Sequence, residues 1–225
     1  MARAASDIGP RIVAAARARF LREGVDGASL RAIARDAGTS IGMIYYYHPT
    51  KDDLFLAVVE EVYVALLKDL EARLAPARPV PARLSALYDR IAAASDDEQQ
   101  VLRLVVREAL TSPARLARLF RRFQRGHVPL LVELVRDGVA TGLFRADLAP
   151  PFLLAAIVAI GGPGQAILEV IDRHLAPRTI PARDARSAGL LSVLLTGIAQ
   201  PAKGSARTKA STSSREAVPP PRTSR

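Results

Sequence analysis

The stretch from Ser29 to Leu54, SLRAIARDAGTSIGMIYYYHPTKDDL, constrains this 225-residue chain more than any other part of it. Ser29 can cap a short helix, because its hydroxyl can accept from an otherwise unpaired backbone N–H. Leu30, Ile33, Ala34 and Ala37 recur at helical spacing, with Arg31, Arg35 and Asp36 on the other side. Gly38 stands where a helix end needs a residue that tolerates the left-handed conformation. Thr39 or Ser40 then caps a second helix whose inward residue is Ile44. Small Ala34 and Ala37 beside a glycine turn allow two helices to approach closely, which is the pattern of a helix-turn-helix. Its second helix is the one expected to enter a DNA major groove.

The residues that follow point the same way. Successive helical residues point about 100° apart, so Tyr45, Tyr46 and Tyr47 cannot all turn inward. A phenol facing outward can donate to phosphate oxygens. Thr50 is a good N-cap, with Asp52 and Asp53 in the first turn and Asp53 placed for a shortened capping box. Lys51 is unfavourable at the positive end of a helix unless an anion sits there. A lysine, backbone amides and a helix start together make a phosphate seat. Surface tyrosines and an ordinary solvated lysine are the plainer reading, and the adjoining helix-turn-helix outweighs it.

The N-terminal quarter resembles the DNA-binding domain of the TetR family of bacterial transcriptional regulators. The match runs through Ile12-Val13-Ala14-Ala15-Ala16 and Phe20-Leu21-Arg22-Glu23-Gly24, similar to the family's first helix and its glycine stop. It continues in Ser29-Leu30-Arg31-Ala32-Ile33-Ala34, Ala37-Gly38-Thr39-Ser40, Gly42-Met43-Ile44-Tyr45-Tyr46-Tyr47 and Lys51-Asp52-Asp53-Leu54. Where the family carries a large apolar residue after its tyrosine-containing segment, this chain has His48. The resemblance implies that Ile41, Gly42 and Met43 stand at the base edges, with Thr39 and Ser40 among the DNA-binding residues. It implies that Arg31, Tyr45, Tyr46, Tyr47, Thr50 and Lys51 hold phosphates. His48 fits as a half-buried packing residue or as one more phosphate contact.

Composition agrees with a helical regulator. The chain has no cysteine, which excludes disulfides and thiolate metal sites, and its three histidines (His48, His127, His174) lack ligand spacing. No metal and no cofactor is expected. The segment Met1–Asp7 lacks the apolar core of a secretory signal, so a cytoplasmic location is expected. Ser6 or Asp7 is placed to cap the first helix, with Pro10 in its first turn, and Arg3 can reach a neighbouring phosphate. The net charge of +10 is unevenly spread. Residues 1–51 hold 8 basic and 4 acidic groups, 52–200 hold 18 and 17, and 201–225 hold 6 and 1. A basic head fits a phosphate-bearing partner. The basic, Pro/Ser/Thr-rich end lacks apolar periodicity and is expected to be disordered.

The body reads as a series of helices divided by breakers. Leu54, Val58, Val62 and Leu66 define a long amphipathic helix from the Thr50 cap towards Leu74, which in the family links head to effector domain. Leu84, Leu87, Tyr88 and Ile91 mark another helix, followed by a polar break at Ser95–Glu98. Val101 to Leu110 and Leu116 to Phe123 mark two more, and Pro129 should interrupt or bend the chain before Leu130–Val139. Arg115, Arg118, Arg122 and Arg125 line one face: either a site for an acidic ligand or second DNA contact, or a solvated surface, which such stripes usually are.

Leu148 to Leu168 contains no charged residue. A bilayer span is one reading; against it stand Pro150-Pro151 and the Gly161-Gly162-Pro163-Gly164 break, where a kink is expected. A subunit interface needs the same uncharged surface. The resemblance implies a homodimer formed by the last two helices, about 151–175 and 185–198, with Leu190, Leu191, Val193, Leu194 and Leu195 contributing. An arginine at Ile157 would then break the dimer.

No nucleophile elbow, Walker loop or dinucleotide fingerprint is present, and no pair of residues makes an acid–base arrangement. The chain is not read as an enzyme. The expected fold is all-α, with a helix-turn-helix DNA-binding domain over 1–51, a larger helical ligand-binding and dimerisation domain over 52–200, and a tail over 201–225. The expected function is a ligand-responsive transcriptional regulator, a repressor released from a palindromic operator by a small-molecule effector. Tyr88, Phe120, Phe123 and His127 are the candidate lining of its pocket, among the helices from Arg83 to Gly138. An effector-independent DNA-associated protein and a membrane-associated helical protein are the alternatives.

Overall fold

The structure is a computed structural model that describes residues 7–174 and 182–198; the basic tail, Arg3 and the Ser6 cap lie outside the described residues. Within it the chain forms eleven α-helices. The first three make the head: α1 (Ile8–Gly27), α2 (Leu30–Asp36) and α3 (Ile41–Tyr47). The long α4 (Lys51–Arg73) leaves the head and enters the body. The body continues with α5 (Val80–Ala92), α6 (Asp96–Thr111), α7 (Pro113–Phe123) and α8 (His127–Ala140). It closes with α9 (Pro150–Gly161), α10 (Pro163–His174) and α11 (Arg183–Ile198).

The capping chemistry sets most of these boundaries. Ser29 accepts from Ala32 N and Ser40 from Met43 N, so both helices of the helix-turn-helix start on a serine. Thr50 and Asp53 form a reciprocal capping box, and so do Ser95 and Glu98. The expected polar break at Ser95–Glu98 is therefore the first turn of α6, since acidic residues there complement the helix dipole. Pro129 does not interrupt the chain either. It lies in the first turn of α8, where the missing N–H has no helical acceptor to lose. Asp7 takes the N-cap position of α1 without a side-chain hydrogen bond. At Gly24 the backbone turns to φ 76°, which breaks α1 where a glycine stop was expected.

Two apolar clusters fill the interior. The first joins Ile12, Ala16, Phe20, Ile33, Ala34 and Ile44 of the head to Leu54, Phe55, Val58 and Val59 of α4, and reaches Val101, Leu104 and Leu119. The second gathers Leu70, Leu74, Leu84, Tyr88, Leu134, Phe144, Leu153, Ile157 and Leu194. Helix α4 contributes to both, so it is the rod on which head and body are mounted. Gly162 separates α9 from α10 at the expected kink. The stretch Pro150–Asp172 is long and apolar enough to cross a membrane by length and composition alone. Here Leu153 and Ile157 are committed to the second cluster.

Candidate nucleic-acid interface

The α2–α3 turn is built by backbone chemistry first. Thr39 N donates to Ala34 O at 2.9 Å and Gly38 N to Arg35 O at 3.0 Å, the paired bonds of a Schellman stop. Gly38 adopts φ 62°, the left-handed conformation that such a stop requires. The guanidinium of Arg11, reaching from α1, donates to Ala37 O and to Gly38 O, the latter at 3.3 Å. A cation thus sits at the negative end of α2 and fixes the turn against α1.

On α3, Ile44 is fully buried and pins the helix to the head. Ile41 and Met43 are partly buried against the same cluster. The other side is open: Ser40 and Gly42 are exposed, and so are Tyr45, Tyr46 and Tyr47, Tyr46 most of all at 77%. Tyr46 and Tyr47 meet edge to face with ring centres 5.3 Å apart, and the Tyr47 ring lies beside Gly9 of α1. Arg31 and Thr50 are exposed, while Thr39 and Lys51 are half-buried. Lys51 Nζ donates to Asp26 O at 3.0 Å, so its ammonium already braces the end of α1. His48 is half-buried with its Nε2 enclosed and without a hydrogen-bond partner among the described residues. Burial lowers its pKa, which favours the neutral ring of a packing residue.

Behind this face the sequence reasoning missed a cluster of charge. Arg115, only 6% exposed, holds three carboxylates from three helices. It bonds Asp26 at the end of α1, Asp52 at the start of α4 (3.1 Å) and Glu108 on α6 (2.7 Å). Arg118 follows with Asp53 at 2.5 Å and Arg122 with Glu60, its guanidinium also lying 4.5 Å above the Tyr63 ring. Arg115, Arg118 and Arg122 are therefore neither a solvated face nor an open anion site, because α1, α4 and α6 present acids to them; Arg125 lies beyond the end of α7 and is exposed. The Arg115 guanidinium holds the Asp26 carboxyl below its ordinary range, and the Thr50 hydroxyl and then Arg118 do the same for Asp53. Glu108 also accepts from Val25 N at 3.2 Å, and Arg107 donates to Phe20 O at 2.6 Å. Together α6 and α7 grip the base of the head. The only sequence signal was that Asp52, Asp53 and Glu60 share α4 at steps compatible with one face.

The family model for bacterial regulatory proteins of the tetR family matches residues 12–58, from α1 into the first turns of α4. Over 152 residues the chain is 32% identical to the HTH-type transcriptional repressor SCO4008 of Streptomyces coelicolor, spanning 67% of this chain and 74% of that protein. The chain belongs to the tetR family. The chain is 30% identical over 163 residues to the HTH-type transcriptional regulator Rv1816 of Mycobacterium tuberculosis, spanning 65% of this chain and 64% of that one. Solved structures share the fold. The regulator FadR from Bacillus subtilis, in complex with stearoyl-CoA, superposes with a TM-score of 0.67 at 18% identity, covering 84% of this chain and 98% of that one. The ketosteroid regulator KstR2 of Mycobacterium tuberculosis gives 0.59 at 18% identity, covering 85% and 95%. As a tetR-family member the chain is a DNA-binding transcriptional regulator, and the relatives it matches carry the names of regulators, not of enzymes.

The candidate pocket residues do not converge within this tetR-family body. Phe123 and His127 meet each other at 4.9 Å between ring centres and share Tyr63, whose hydroxyl bonds His127 Nδ1 at 2.9 Å. Burial and then Arg122 push His127 down to about 4, so its ring is neutral. Phe120 is half exposed on the outer side of α7. Tyr88 lies in the second cluster, donating to Ile157 O at 3.2 Å with its ring against Gly161. Ile157, the residue expected at the dimer interface, is fully buried within its own chain. An apolar helix has no periodicity to distinguish the side facing its own core from the side facing a partner. The exposed large apolar side chains of this region, among the described residues, are Phe152, Val158, Ile167, Val170 and Val193.

Proposed function

We propose that this regulator is a homodimeric repressor that releases a palindromic operator when a small-molecule effector binds. The observation that carries the reading is α3. Its Ile44 anchors the helix while Gly42, Tyr45, Tyr46 and Tyr47 stand in solvent, an arrangement that folding alone does not require. Thr39, Ser40, Ile41, Gly42 and Met43 would address base edges, and Arg31, Tyr45, Tyr46, Tyr47, Thr50 and Lys51 the phosphates. Lys51 would exchange the Asp26 carbonyl for a phosphate oxygen when DNA arrives. Repression is supported by the name of the Streptomyces coelicolor relative, and an effector by the stearoyl-CoA held in the FadR structure. Phe152, Ile167, Val170 and Val193 are the surface we assign to the second subunit.

The division into a head over 1–51, a ligand-binding and dimerisation body over 52–200 and a tail over 201–225 belongs to the same reading, as does a cytoplasmic location. Phe123 and His127 remain its candidate pocket lining beside α4; Tyr88 and Phe120 would act from other sides. Footprinting on the intergenic DNA beside the gene tests the proposal. A single protected palindrome, lost on adding a ligand found by thermal shift, is the expected result. Uniform coating of the duplex, insensitive to every such ligand, would instead mark an effector-independent DNA-associated protein.

A further inference from the structure

Arg83 and Arg90 pair with acids of the body. Arg83, 2% exposed on α5, donates to Asp137 of α8 at 2.6 Å, and Arg90 to Asp69 at 2.7 Å. Arg115 and Arg118 of α7 are different, because the acids they meet cluster around Lys51. Asp52 and Asp53 are the second and third residues of α4. Asp26 lies near the end of α1, and its carbonyl accepts from Lys51 Nζ at 3.0 Å.

Folding and DNA binding make opposite demands at this place. The start of α4 favours carboxylates, which complement the helix dipole, and Asp53 closes the capping box with Thr50. A DNA backbone approaching Lys51 would be repelled by the same groups, since unit charges act over many ångströms. Three carboxylates stand there against one lysine. Each is covered from the body side. Arg118 Nη1 donates to Asp53 Oδ1 at 2.5 Å, while Asp53 Oδ2 accepts from Thr50 N at 3.1 Å and Thr50 Oγ1 at 2.7 Å. Arg115 Nε donates to Asp52 Oδ1 at 3.1 Å, Nη1 to Asp26 Oδ2 at 3.1 Å and Nη2 to Asp26 Oδ1. The remaining acid on Arg115, Glu108, is buried and is also met by Arg107. Lys51, Arg115 and Arg118 thus balance Asp26, Asp52 and Asp53 charge for charge, and a guanidinium does not give up its proton.

We infer that Arg115 and Arg118 are positioning residues of the DNA interface: without touching DNA, they neutralise the acids that α4 needs at its own start, so that Lys51 can meet a phosphate. The inference rests on the phosphate contact proposed for Lys51 above, and it gives the body a share in the electrostatics of DNA binding. The competing account is mechanical, with the ion pairs serving only as straps between head and body.

The test is fluorescence anisotropy of full-length variants on the footprinted operator and on a random duplex, at one ionic strength. Lys51→Ala should weaken binding to both. Arg118→Met should also weaken both, by about two- to sixteenfold per half-site, the effect of a unit charge about 10 Å from a phosphate at an effective dielectric constant between about 80 and 20. Arg118 and Asp53 are 32% and 36% exposed, so variants of this pair should keep the fold. Arg118→Lys should bind like wild type, because the charge remains. Arg118→Met combined with Asp53→Asn should return to near wild type, because cation and anion leave together and asparagine still accepts from Thr50 N. A strap would be lost in the double variant as well. A double variant as weak as Arg118→Met, or wild-type affinity in Arg118→Met, would therefore overturn the inference while leaving Lys51 at its phosphate. Arg136→Met, which strips a 70% exposed arginine from α8, should leave binding unchanged. An equal loss there would make total charge the cause and would overturn the inference too. Unchanged affinity in Lys51→Ala would refute the phosphate contact itself and the inference with it.

Discussion

Replacing Arg115 by methionine should destabilise the protein by about 3 kcal/mol, near the low end of what is lost when one partner of a buried ion pair is removed. The figure follows from the unequal burial of its three acids. Asp26 and Asp52 reach solvent, so their loss of a partner counts for about 0–1 kcal/mol each, as for surface pairs. Glu108 is 3% exposed and would keep only Val25 N at 3.2 Å and Arg107 Nε at 3.3 Å. Most of the cost therefore sits on Glu108. Thermal unfolding followed by circular dichroism should show the midpoint falling by roughly 6–12 °C, given about 2–4 °C per kcal/mol for chains of this size. Adding Glu108→Leu should restore much of the loss, because the stranded carboxylate is then gone and the volume is roughly kept. Asp26→Asn alone should change stability by less than about 1 kcal/mol. A double variant no more stable than Arg115→Met, or an Asp26→Asn variant equally damaged, would refute the assignment of the cost to Glu108.

Gly42→Ala should raise the melting temperature, gaining about 0.5–1 kcal/mol of helix propensity where an added β carbon meets only Ser40 Oγ at 3.7 Å. It should at the same time weaken operator binding in an anisotropy assay, and undiminished affinity would place the DNA elsewhere. His127 has its folded pKa lowered to about 4 from 6.5, so the unfolded chain binds more protons between those values and stability should fall as pH drops through that window, by up to about 1.4 kcal/mol per unit. Urea titrations of wild type and His127→Phe across the window should differ in slope, and identical slopes would remove His127 as the cause. Ile167→Arg should yield folded monomers in equilibrium sedimentation, whereas Ile157→Arg should fail to fold. A folded Ile157→Arg monomer would return that residue to the subunit interface.

How much of this was legible beforehand varied with the kind of signal. Ser29, Ser40 and Thr50 announce helix starts because a side-chain oxygen three residues before an N–H is local chemistry, and each cap lies where expected. The span of α4 and the break at Gly162 follow from periodicity and from proline in the same way. The arginines of α7 show the limit. Their spacing put them on one face, but what met that face was acids up to 89 residues distant in the chain. Ile157 was misassigned because a helix apolar on every side looks the same to a core and to a partner. Arg83 carried no local sign at all, since its burial is created by α5 and α8 together.

The turn between α2 and α3 has a consequence for how this protein can change over time. Position 38 is constrained twice, by its positive φ and by the guanidinium of Arg11, which lies where a β carbon would project. Asparagine tolerates the left-handed conformation, yet its β carbon would displace Arg11 from the carbonyls of Ala37 and Gly38 and leave the end of α2 without its cation. Positions 11 and 38 are thus coupled through one contact. The atom in the way is the far end of a flexible side chain, so Arg11 can swing aside, and in variant libraries of the head the positive φ at 38 should be the stricter filter, with residues that tolerate it accepted at the cost of the Arg11 contact.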